Sequence, residues 1–221
     1  MQRLFDVVFS GGALIVLLPI FLPLLVLLRL TGEGEIFFLQ DRIGRKGKYF
    51  KLYKFATMLK NSPNIGTGTV TLYNDPRVLP LGGFLRTTKI NELPQLINIF
   101  KGDMSVIGPR PQTQRCFDAF PTQSQKEIMK VRPGLSGIGS IVFRNEEEMM
   151  HCNNSPDKFY DEIVMPYKGK LEEWYVRNES ISLYFQLILI TIYAVFFNNR
   201  KTAWTVFKKL PDPPESLKKW L

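Results

Sequence analysis

The chain has 221 residues, of which 45% are apolar and 22% are charged, and its formal net charge is +9. This length allows one domain with a hydrophobic core, and the average composition is that of an ordinary globular protein. The excess of Lys and Arg predicts an anionic partner, which leaves phosphorylated ligands, anionic lipid headgroups and nucleic acid as the candidate classes.

The first predicted element is an apolar segment, Val7 to Leu28, that carries no charged residue. A helix needs about 20 apolar residues to enter the hydrocarbon core of a bilayer, so the segment is long enough. It is longer than the apolar part of a signal peptide, and no small-residue cleavage site follows it. Pro19 and Pro23 predict a bend near Leu18–Pro19, because each proline removes a backbone donor and clashes with the preceding turn.

The course of this helix through the membrane stays open from the residues alone. Basic residues lie near both ends, at Arg3 and Arg29. The distribution of charge therefore does not select one end for transfer across the bilayer. A kinked spanning helix and a bent helix that returns to the same face are equally compatible with these flanks.

A basic region follows between Asp41 and Lys60, with Arg42, Arg45, Lys46, Lys48, Lys51, Lys54 and Lys60. Such a run usually forms a solvated face, but its position after a membrane segment favours contact with headgroups or phosphates. Tyr49 to Phe55 alternates aromatic or apolar residues with lysine, which predicts a strand. Asn61 to Asn74 is rich in Gly, Thr and Asn and predicts a loop.

The next two segments differ in how well they fit a helix. Leu79 to Leu85 is a poor helix candidate because it contains Gly82-Gly83. Ile90 to Phe100 is predicted to be one helix that places Leu93, Leu96, Ile97 and Phe100 on a shared face.

Two turn-rich segments each carry an arginine beside a proline. Gly102 to Pro111 is predicted to lack regular structure, and Arg110 lies between two prolines. A stiff backbone that fixes a guanidinium suits bidentate phosphate binding, although an arginine is more often a salt-bridge partner. Gln123 to Lys130 predicts a short helix, and Val131 to Gly137 is the second such segment, with Arg132 before Pro133.

A second apolar run, Ile181 to Phe197, is short for a membrane span and predicts a helix on the membrane surface or in the core. Aromatic and lysine residues alternate after it, a pattern typical of interfacial anchors. These residues are Trp204, Phe207, Lys208, Lys209, Lys218, Lys219 and Trp220.

Six blocks follow one another along the chain: Lys54–Met58, Asp75–Val78, Gly82–Arg86, Asn91–Asn98, Gly102–Pro111 and Val131–Gly137. In this order they resemble the monotopic phosphoglycosyl transferases, bacterial enzymes that begin polysaccharide and glycoconjugate synthesis. Six ordered blocks are a far more specific signal than any one of them.

The resemblance implies an α/β fold class, with a small, mostly helical catalytic domain and a short β element. It implies a re-entrant membrane helix, broken at Pro19, over residues 1–30 and a cytoplasmic catalytic domain over residues 31–180. It also implies interfacial amphipathic helices that associate with the membrane over residues 181–221. Both ends of the anchor would then lie on the cytoplasmic face of the bacterial inner membrane.

The implied reaction moves a sugar-1-phosphate from a UDP-sugar to undecaprenyl phosphate and releases UMP, as the first membrane step of exopolysaccharide or lipopolysaccharide synthesis. In the family an Asp-Glu pair follows an Arg by five residues. The Asp attacks the donor's β-phosphate, and the lipid phosphate then takes the covalent phosphosugar. The positions implied to be catalytic are Asn91, Glu92, Arg86 and Lys54.

The resemblance also implies ligands and partners. The implied substrate contacts are Arg110, Pro111, Arg132, Asp75 and Arg77. Magnesium is the implied cofactor, with Glu92, Asn91 and Asp103 as candidate ligands, since Mg²⁺ binds one or two carboxylates plus substrate phosphates. Inner-membrane lipids are expected partners, and a homodimer is a candidate assembly. Nucleic acid is disfavoured, because the basic charge lies beside an apolar segment and no nucleic-acid motif is present.

The chain departs from the family at one position, where Asn91 replaces the nucleophilic Asp. A neutral amide is a far weaker nucleophile than a carboxylate and neutralises no metal charge. Asn91 is therefore an engineered change, or a natural variant in which Glu92 or direct attack by the lipid phosphate does the work, or a sign of lost catalysis. In the last case the protein is a membrane-anchored binding or scaffold member of the same pathway. The stretch Arg144 to Arg177 is expected either to shape sugar selection or to be a solvated helical region.

Overall fold

The computed structural model describes residues 1–65, 75–144, 146, 149, 156–197 and 202–220. Over these residues the protein is mostly helical with two small sheets, which confirms the predicted class at this coarse level. The strands are β1 (Phe37–Ile43), β2 (Tyr49–Phe55), β3 (Ser105–Ile107) and β4 (Gly134–Ser136). The helices are α1 (Gln2–Leu30), α2 (Pro80–Thr87), α3 (Gln95–Lys101), α4 (Gln114–Asp118), α5 (Thr122–Ile128), α6 (Ile138–Val142), α7 (Pro156–Phe159), α8 (Met165–Arg177), α9 (Ile181–Phe197), α10 (Thr202–Val206) and α11 (Glu215–Lys218).

The chain forms two compact units, and each is described by itself. The α1 unit contains Phe5–Asp41 and Lys51–Lys101. The α8 unit contains Met1–Leu4, Arg42–Phe50 and Gly102–Leu221. The hairpin of β1 and β2 therefore contributes residues to both units. The division at residues 30 and 180 that the resemblance implies stays a prediction.

Helix α1 is the long apolar segment expected from the sequence. It continues through Pro19 and Pro23 as one helix of 29 residues, so the expected bend does not interrupt it. The helix is long and apolar enough to cross a membrane, and only 17% of its most apolar stretch is buried in the protein. Ile15 and Val16, for example, are 75% and 74% exposed. Such an uncovered apolar surface favours contact with lipid, while the re-entrant course stays a prediction.

The second half of α1 forms the core of the α1 unit. Phe21, Leu24 and Leu28 are buried together with Phe55 of β2 and Leu85 of α2. The rings of Phe21 and Phe55 meet edge to face with centroids 5.5 Å apart. The apolar helix is thus the surface on which the other elements of its unit are assembled.

The sequence prediction for residues 79–85 was wrong, because α2 runs from Pro80 to Thr87. Pro80 lies in the first turn, where a missing N–H is tolerated. Gly82 packs against the chain near Thr57, and a Cβ atom there would lie 2.1 Å from the Thr57 carbonyl oxygen. The glycine that argued against a helix is therefore required by a close approach between two segments.

The single helix predicted for residues 90–100 was also partly wrong. The chain forms a 3-10 turn over Ile90–Glu92 and then α3 over Gln95–Lys101. Phe100 is 49% exposed, whereas Ile99 is fully buried, so the predicted apolar face is displaced by one residue. Pro94 lies just before α3. Because proline has no N–H, it cannot continue the hydrogen bonding of the preceding turn, but it is tolerated where a new helix begins.

In the α8 unit, the segment predicted to be irregular contains β3, which pairs in parallel with β4. Ser105 is aligned with Gly134, and Ile107 with Ser136. That prediction failed because the pairing partner lies about 30 residues away along the chain, beyond the reach of local patterns. The expected short helix is confirmed as α5, and the strand prediction for Tyr49–Phe55 is confirmed as β2.

Helices α8 and α9 pack on these strands and on neighbouring helices. Helix α8 contacts α5 and α6, and seven of its residues are buried, so it is not a solvated helix. Helix α9 confirms the helix that was predicted from the second apolar run, and it contacts β3, β4 and α6. Leu183, Tyr184 and Leu187 of α9 are buried, while Leu189 and Ile192 are exposed. Its predicted contact with the membrane surface stays a prediction.

Some predictions fall on residues that the structure does not describe. Asn61 to Ile65 includes a 3-10 turn at Ser62–Asn64, but residues 66–74 of the predicted loop lie outside the described residues. Residues 145, 147–148 and 150–155 of the stretch that was expected to shape sugar selection, and the polar residues 198–201 after α9, also lie outside.

Candidate functional site

Lys54 lies on β2, beside the buried core residue Phe55. The strand is fixed to α3 by Asn98, which is fully buried. The Asn98 Nδ2 atom donates to the Lys51 carbonyl oxygen at 2.8 Å, and the Tyr53 N–H donates to Asn98 Oδ1 at 3.0 Å. Both polar ends of the amide are therefore used to set the backbone immediately before Lys54.

The 3-10 turn Ile90–Glu92 presents Asn91 and Glu92. The chain enters this turn through Lys89, a non-glycine residue with a positive φ of 60°. Glu92 Oε1 lies 3.6 Å from Lys54 Nζ, and the two side chains are 18% and 19% exposed. This pair is therefore shielded from water but still open to a ligand.

Asn91 is 7% exposed, and its Oδ1 atom has no hydrogen-bond partner among the described residues. A buried acceptor without a partner costs about 1 to 3 kcal/mol. Buried orphan acceptors are rare in folded proteins and are candidates for contact with a water, an ion or a ligand. The turn thus carries one carboxylate and one unused amide oxygen on adjacent residues of the chain.

Arg86 lies in the last turn of α2, next to the core residue Leu85. Its Nη1 atom donates to Met58 Sδ at 3.8 Å, and sulfur is a weak acceptor. No ion pair holds this guanidinium within the described residues, so it remains available to an anionic ligand.

Asp75 and Arg77 form a different kind of pair. Arg77 is 3% exposed and Asp75 is 7% exposed. Arg77 Nε donates to Asp75 Oδ1 at 2.8 Å, and its Nη1 donates to the carbonyl oxygens of Ser62 and Ile65. The hydrogen bond to Asp75 raises the pKa of Arg77 further above its ordinary value. This geometry favours a structural role, and substrate contact by these two residues stays a prediction.

Core residues alternate with candidate catalytic residues throughout the α1 unit. Phe55 follows Lys54, Leu85 precedes Arg86, and Ile90 and Leu93 flank Asn91 and Glu92; all four apolar residues pack in the core built on α1. The polar groups are thus attached to the elements that rest directly on the apolar helix.

In the α8 unit, the segment from Gly108 to Gln112 is held by main-chain hydrogen bonds. The Gly108 N–H donates to the Ser136 carbonyl oxygen at 2.9 Å, and the Gly134 N–H donates to that of Pro109 at 2.8 Å. A Cβ atom on Gly108 would lie 2.5 Å from the Arg132 carbonyl oxygen, so this crossing requires glycine.

The same segment is held from the hairpin tip. Arg42 Nη1 donates to the Pro111 carbonyl oxygen at 3.1 Å, and the Ile43 N–H donates to that of Gln112 at 3.0 Å. Arg110 is partly exposed and Pro111 is buried. A shallow cleft beside them is lined by Ile43, Pro109, Arg110, Pro111, Phe117 and Val131.

The main chain at Arg110 is also bound by α8. The Arg110 N–H donates to the carboxyl group of Glu172, which is 1% exposed. Burial raises the pKa of Glu172 to about 8, although Lys168 and Arg110 act in the opposite direction. One helical turn further on, the Tyr175 hydroxyl donates to the Ile107 carbonyl oxygen at 3.3 Å.

The remaining predicted ligands lie at the start of β3 and β4. Arg132 Nε donates to the Gly102 carbonyl oxygen at 2.9 Å, and Asp103 is partly buried just before β3. Asp103 belongs to the α8 unit, whereas Asn91 and Glu92 belong to the α1 unit. Among the described side chains, no group of three or more His, Cys, Asp and Glu residues is placed to hold a metal ion.

Sequence reasoning missed two residues that shape these sites. Asn98 is the last residue of the Asn91–Asn98 block, and the signal for its role is a polar residue among the apolar positions of a helix. Glu172 gave no signal, because an acidic residue in a charged helical stretch usually faces solvent.

Comparison with known proteins places the chain in a family. The profile of the bacterial sugar transferases matches residues 1–198. The chain therefore belongs to the bacterial sugar transferase family.

Several relatives have named activities or pathways. The exopolysaccharide production protein ExoY of Sinorhizobium fredii is 36% identical over 66% of this chain and 70% of its own length. The UDP-glucose:undecaprenyl-phosphate glucose-1-phosphate transferase of Klebsiella pneumoniae is 32% identical over 89% of this chain and 40% of its own length. The undecaprenyl-phosphate galactose phosphotransferase of Salmonella typhimurium is 31% identical over 82% of this chain, which spans 37% of that protein.

Proposed function

We propose that the protein transfers a sugar-1-phosphate from a UDP-sugar to undecaprenyl phosphate, with release of UMP, in bacterial exopolysaccharide or lipopolysaccharide synthesis. The observation that carries the proposal is the set Lys54, Glu92 and Asn91, attached to elements that pack on the long apolar helix. Polar groups for phosphate chemistry beside a lipid-compatible surface suit a substrate whose chain stays in the bilayer. The names of the relatives support the same donor and acceptor.

The basic residues supply the electrostatic part of this reaction. Phosphoryl transfer depends mainly on positioning and on neutralising charge at the transferring group. Arg86 and Lys54 are suited to the diphosphate and to the incoming lipid phosphate, because neither guanidinium nor ammonium needs a proton transfer to act. Arg110, Pro111 and Arg132 are suited to holding the nucleotide, since their backbone is fixed before the ligand binds.

In this mechanism Glu92 replaces the missing Asp as nucleophile. A Glu92 carboxylate oxygen attacks the β-phosphorus of the donor, the bond between that phosphorus and the bridging oxygen breaks, and UMP leaves with the electron pair. An oxygen of the lipid phosphate then attacks the same phosphorus and releases the carboxylate. The polyprenyl diphosphate sugar is the product, and Lys54 stabilises the ionised form of Glu92 between turnovers.

Magnesium fits the 3-10 turn as a cofactor. Glu92 offers a carboxylate and Asn91 a buried, unpartnered amide oxygen, and Mg²⁺ prefers oxygen ligands together with substrate phosphates. Bound there, the ion would neutralise charge on the diphosphate.

The membrane arrangement is part of the proposal. Helix α1 enters the cytoplasmic leaflet of the inner membrane and returns to the same face, so that the catalytic residues stay in the cytoplasm with the UDP-sugar. Arg3 and Arg29 at the two ends of α1 are compatible with this course, and the family resemblance implies it. The alternating aromatics and lysines after α9 lie at the interface.

A direct test measures UMP released by nanodisc-held protein with Mg²⁺, undecaprenyl phosphate and a panel of UDP-sugars. Release with at least one donor is expected, and Glu92→Gln should reduce it by about a thousandfold. If the wild-type chain releases no UMP but Asn91→Asp does, the chain is an inactive binding member of its pathway. If neither form turns over any donor, the transferase function is wrong.

A second test identifies the nucleophile. Incubation with the UDP-sugar, without lipid acceptor, should add the mass of one sugar-phosphate to the peptide that contains Glu92 and release a stoichiometric amount of UMP. Release of UMP only when the acceptor is present, with no adduct on the protein, would instead show direct attack by the lipid phosphate.

A further inference from the structure

The Pro109-Arg110-Pro111 segment has only one backbone donor. Proline has no N–H, so the Arg110 N–H is the sole main-chain donor of the three residues. The carbonyl oxygens on either side are bound by Gly134 and by Arg42. The direction of the backbone at Arg110 therefore depends on what accepts this one N–H.

The acceptor is the Glu172 carboxyl group of α8. Glu172 is 1% exposed, and its other oxygen, Oε2, has no hydrogen-bond partner among the described residues. A buried carboxyl group with an unused oxygen is costly, and an apolar residue would fill the same volume more favourably. The placement of this group is thus unexplained by packing or by folding stability.

One further contact limits the space around the carboxyl group, and a second holds the same backbone segment to α8. Gly139 of α6 lies against it so closely that a Cβ atom there would be 2.3 Å from Glu172 Oε1. On the next turn of α8, Tyr175 donates to the Ile107 carbonyl oxygen. One face of α8 therefore holds the Ile107–Pro111 segment at two points, of which the Glu172 contact is adjacent to the arginine side chain.

We propose that Glu172 is a positioning residue for the UDP-sugar: through the Arg110 N–H it holds the Arg110 guanidinium in the orientation that binds the donor's phosphates. This inference rests on the proposed function for its ligand, but the coupling between Glu172 and Arg110 does not. The carboxyl group touches no substrate atom. It acts by removing the freedom that the Arg110 backbone would otherwise lose on binding.

Two substitutions at position 172 distinguish the effect of the hydrogen-bond acceptor from the effect of side-chain volume. Glu172→Gln keeps an oxygen that can accept from the Arg110 N–H, while Glu172→Met keeps the length of the side chain and removes the acceptor. Methionine is tolerated in a buried site, so this variant is expected to fold. Glu179→Gln, at an exposed position just after α8, is the matched control for loss of a carboxylate.

The first measurement is hydrogen exchange of the Arg110 amide in full-length protein in nanodiscs, resolved by fragmentation of the peptide that spans residues 107–112. The second is the affinity for UDP by titration calorimetry. Glu172→Met should accelerate exchange and weaken UDP binding, each about tenfold, as expected for loss of one buried hydrogen bond. At pH 5, where the raised pKa of Glu172 keeps the carboxyl group protonated, Glu172→Gln and Glu179→Gln should match the wild type in both.

Unchanged exchange at Arg110 in a folded Glu172→Met variant would overturn the proposal, as would a Glu172→Gln variant that behaves like Glu172→Met. Faster exchange with unchanged UDP affinity would also overturn it, because the fixed backbone would then have no effect on the ligand. If the wild type itself binds no UDP while exchange still responds, the coupling stands and the nucleotide-donor function fails.

Discussion

The two sets of candidate residues are supported by opposite kinds of contact. In the α1 unit, Lys54, Arg86 and Glu92 are neighbours in sequence of apolar side chains that pack on α1. In the α8 unit, Arg110 lies on a segment whose groups are fixed by hydrogen bonds, including one to a buried carboxyl group. Apolar contacts tie the first set to the long apolar helix α1. Polar contacts fix the direction of the backbone at Arg110, and because one of them involves the Glu172 carboxyl group, we expect the stability of this unit to depend on pH.

The largest effect on stability is expected from Phe55→Ala. Phe55 is 1% exposed and stacks on Phe37 besides its contact with Phe21, so truncation leaves a cavity. The free energy of unfolding should fall by about 3 to 5 kcal/mol, and this difference should be independent of pH between 5 and 9. Thermal unfolding in nanodiscs measures it, and Phe84→Ala, at a position 59% exposed, is the control. Equal shifts in the two variants would show that the apolar core does not support this unit.

A smaller decrease in the free energy of unfolding, about 3 kcal/mol, is expected from Arg77→Met. The substitution leaves the buried Asp75 carboxylate without its partner, and breaking a buried pair costs more than the pair contributes. The double variant Asp75→Asn with Arg77→Met should recover part of the loss, which a double-mutant cycle measures. If the single variant unfolds normally but binds UDP poorly, Arg77 contacts the substrate as the sequence predicted.

The pH dependence of the α8 unit follows from Glu172. Its folded pKa of about 8 lies above the ordinary value of 4.5, so folding favours the protonated form. The native state is therefore destabilised progressively as pH rises from about 4.5 to 8, and the cost then stays constant. Glu172→Gln should unfold like the wild type near pH 5 and be more stable at pH 9, on the order of a few kcal/mol. Among the described residues, Lys168 and Arg110 are charged groups that act on this carboxyl. A stability difference that does not change with pH would mean that Glu172 does not titrate in this range.

Several elements could be predicted from local sequence and others could not. The strand at Tyr49–Phe55 and the helix at Ile181–Phe197 follow from a period of two and from a long apolar run, both local patterns. Helix α2 could not be predicted, because its Gly82 is explained only by the close passage of Thr57. Strand β3 needed a partner far along the chain.

The same limit applied to the site. Lys54 and Glu92 were predicted through a family resemblance, and the structure brings them within 3.6 Å of each other. The role of Glu172 could not be predicted, because its carboxyl group contacts Gly139 and the Arg110 backbone, which are remote from it in sequence. Asn91 was found from its departure from the family, and its unpartnered oxygen could be seen only in the fold.

The smallest effect is expected from Asn98→Leu, and it tests whether polar contacts also matter within the apolar α1 unit. The substitution removes both hydrogen bonds that fix β2 before Lys54 and should cost about 2 kcal/mol. Because Lys54 would lose its fixed distance to Glu92, kcat for UMP release should fall about tenfold with little change in KM. Asn64→Leu, at an exposed position, is the control. A loss of stability with unchanged kcat would assign Asn98 to folding alone, and the placement of Lys54 would then depend only on Phe55 and the core behind it.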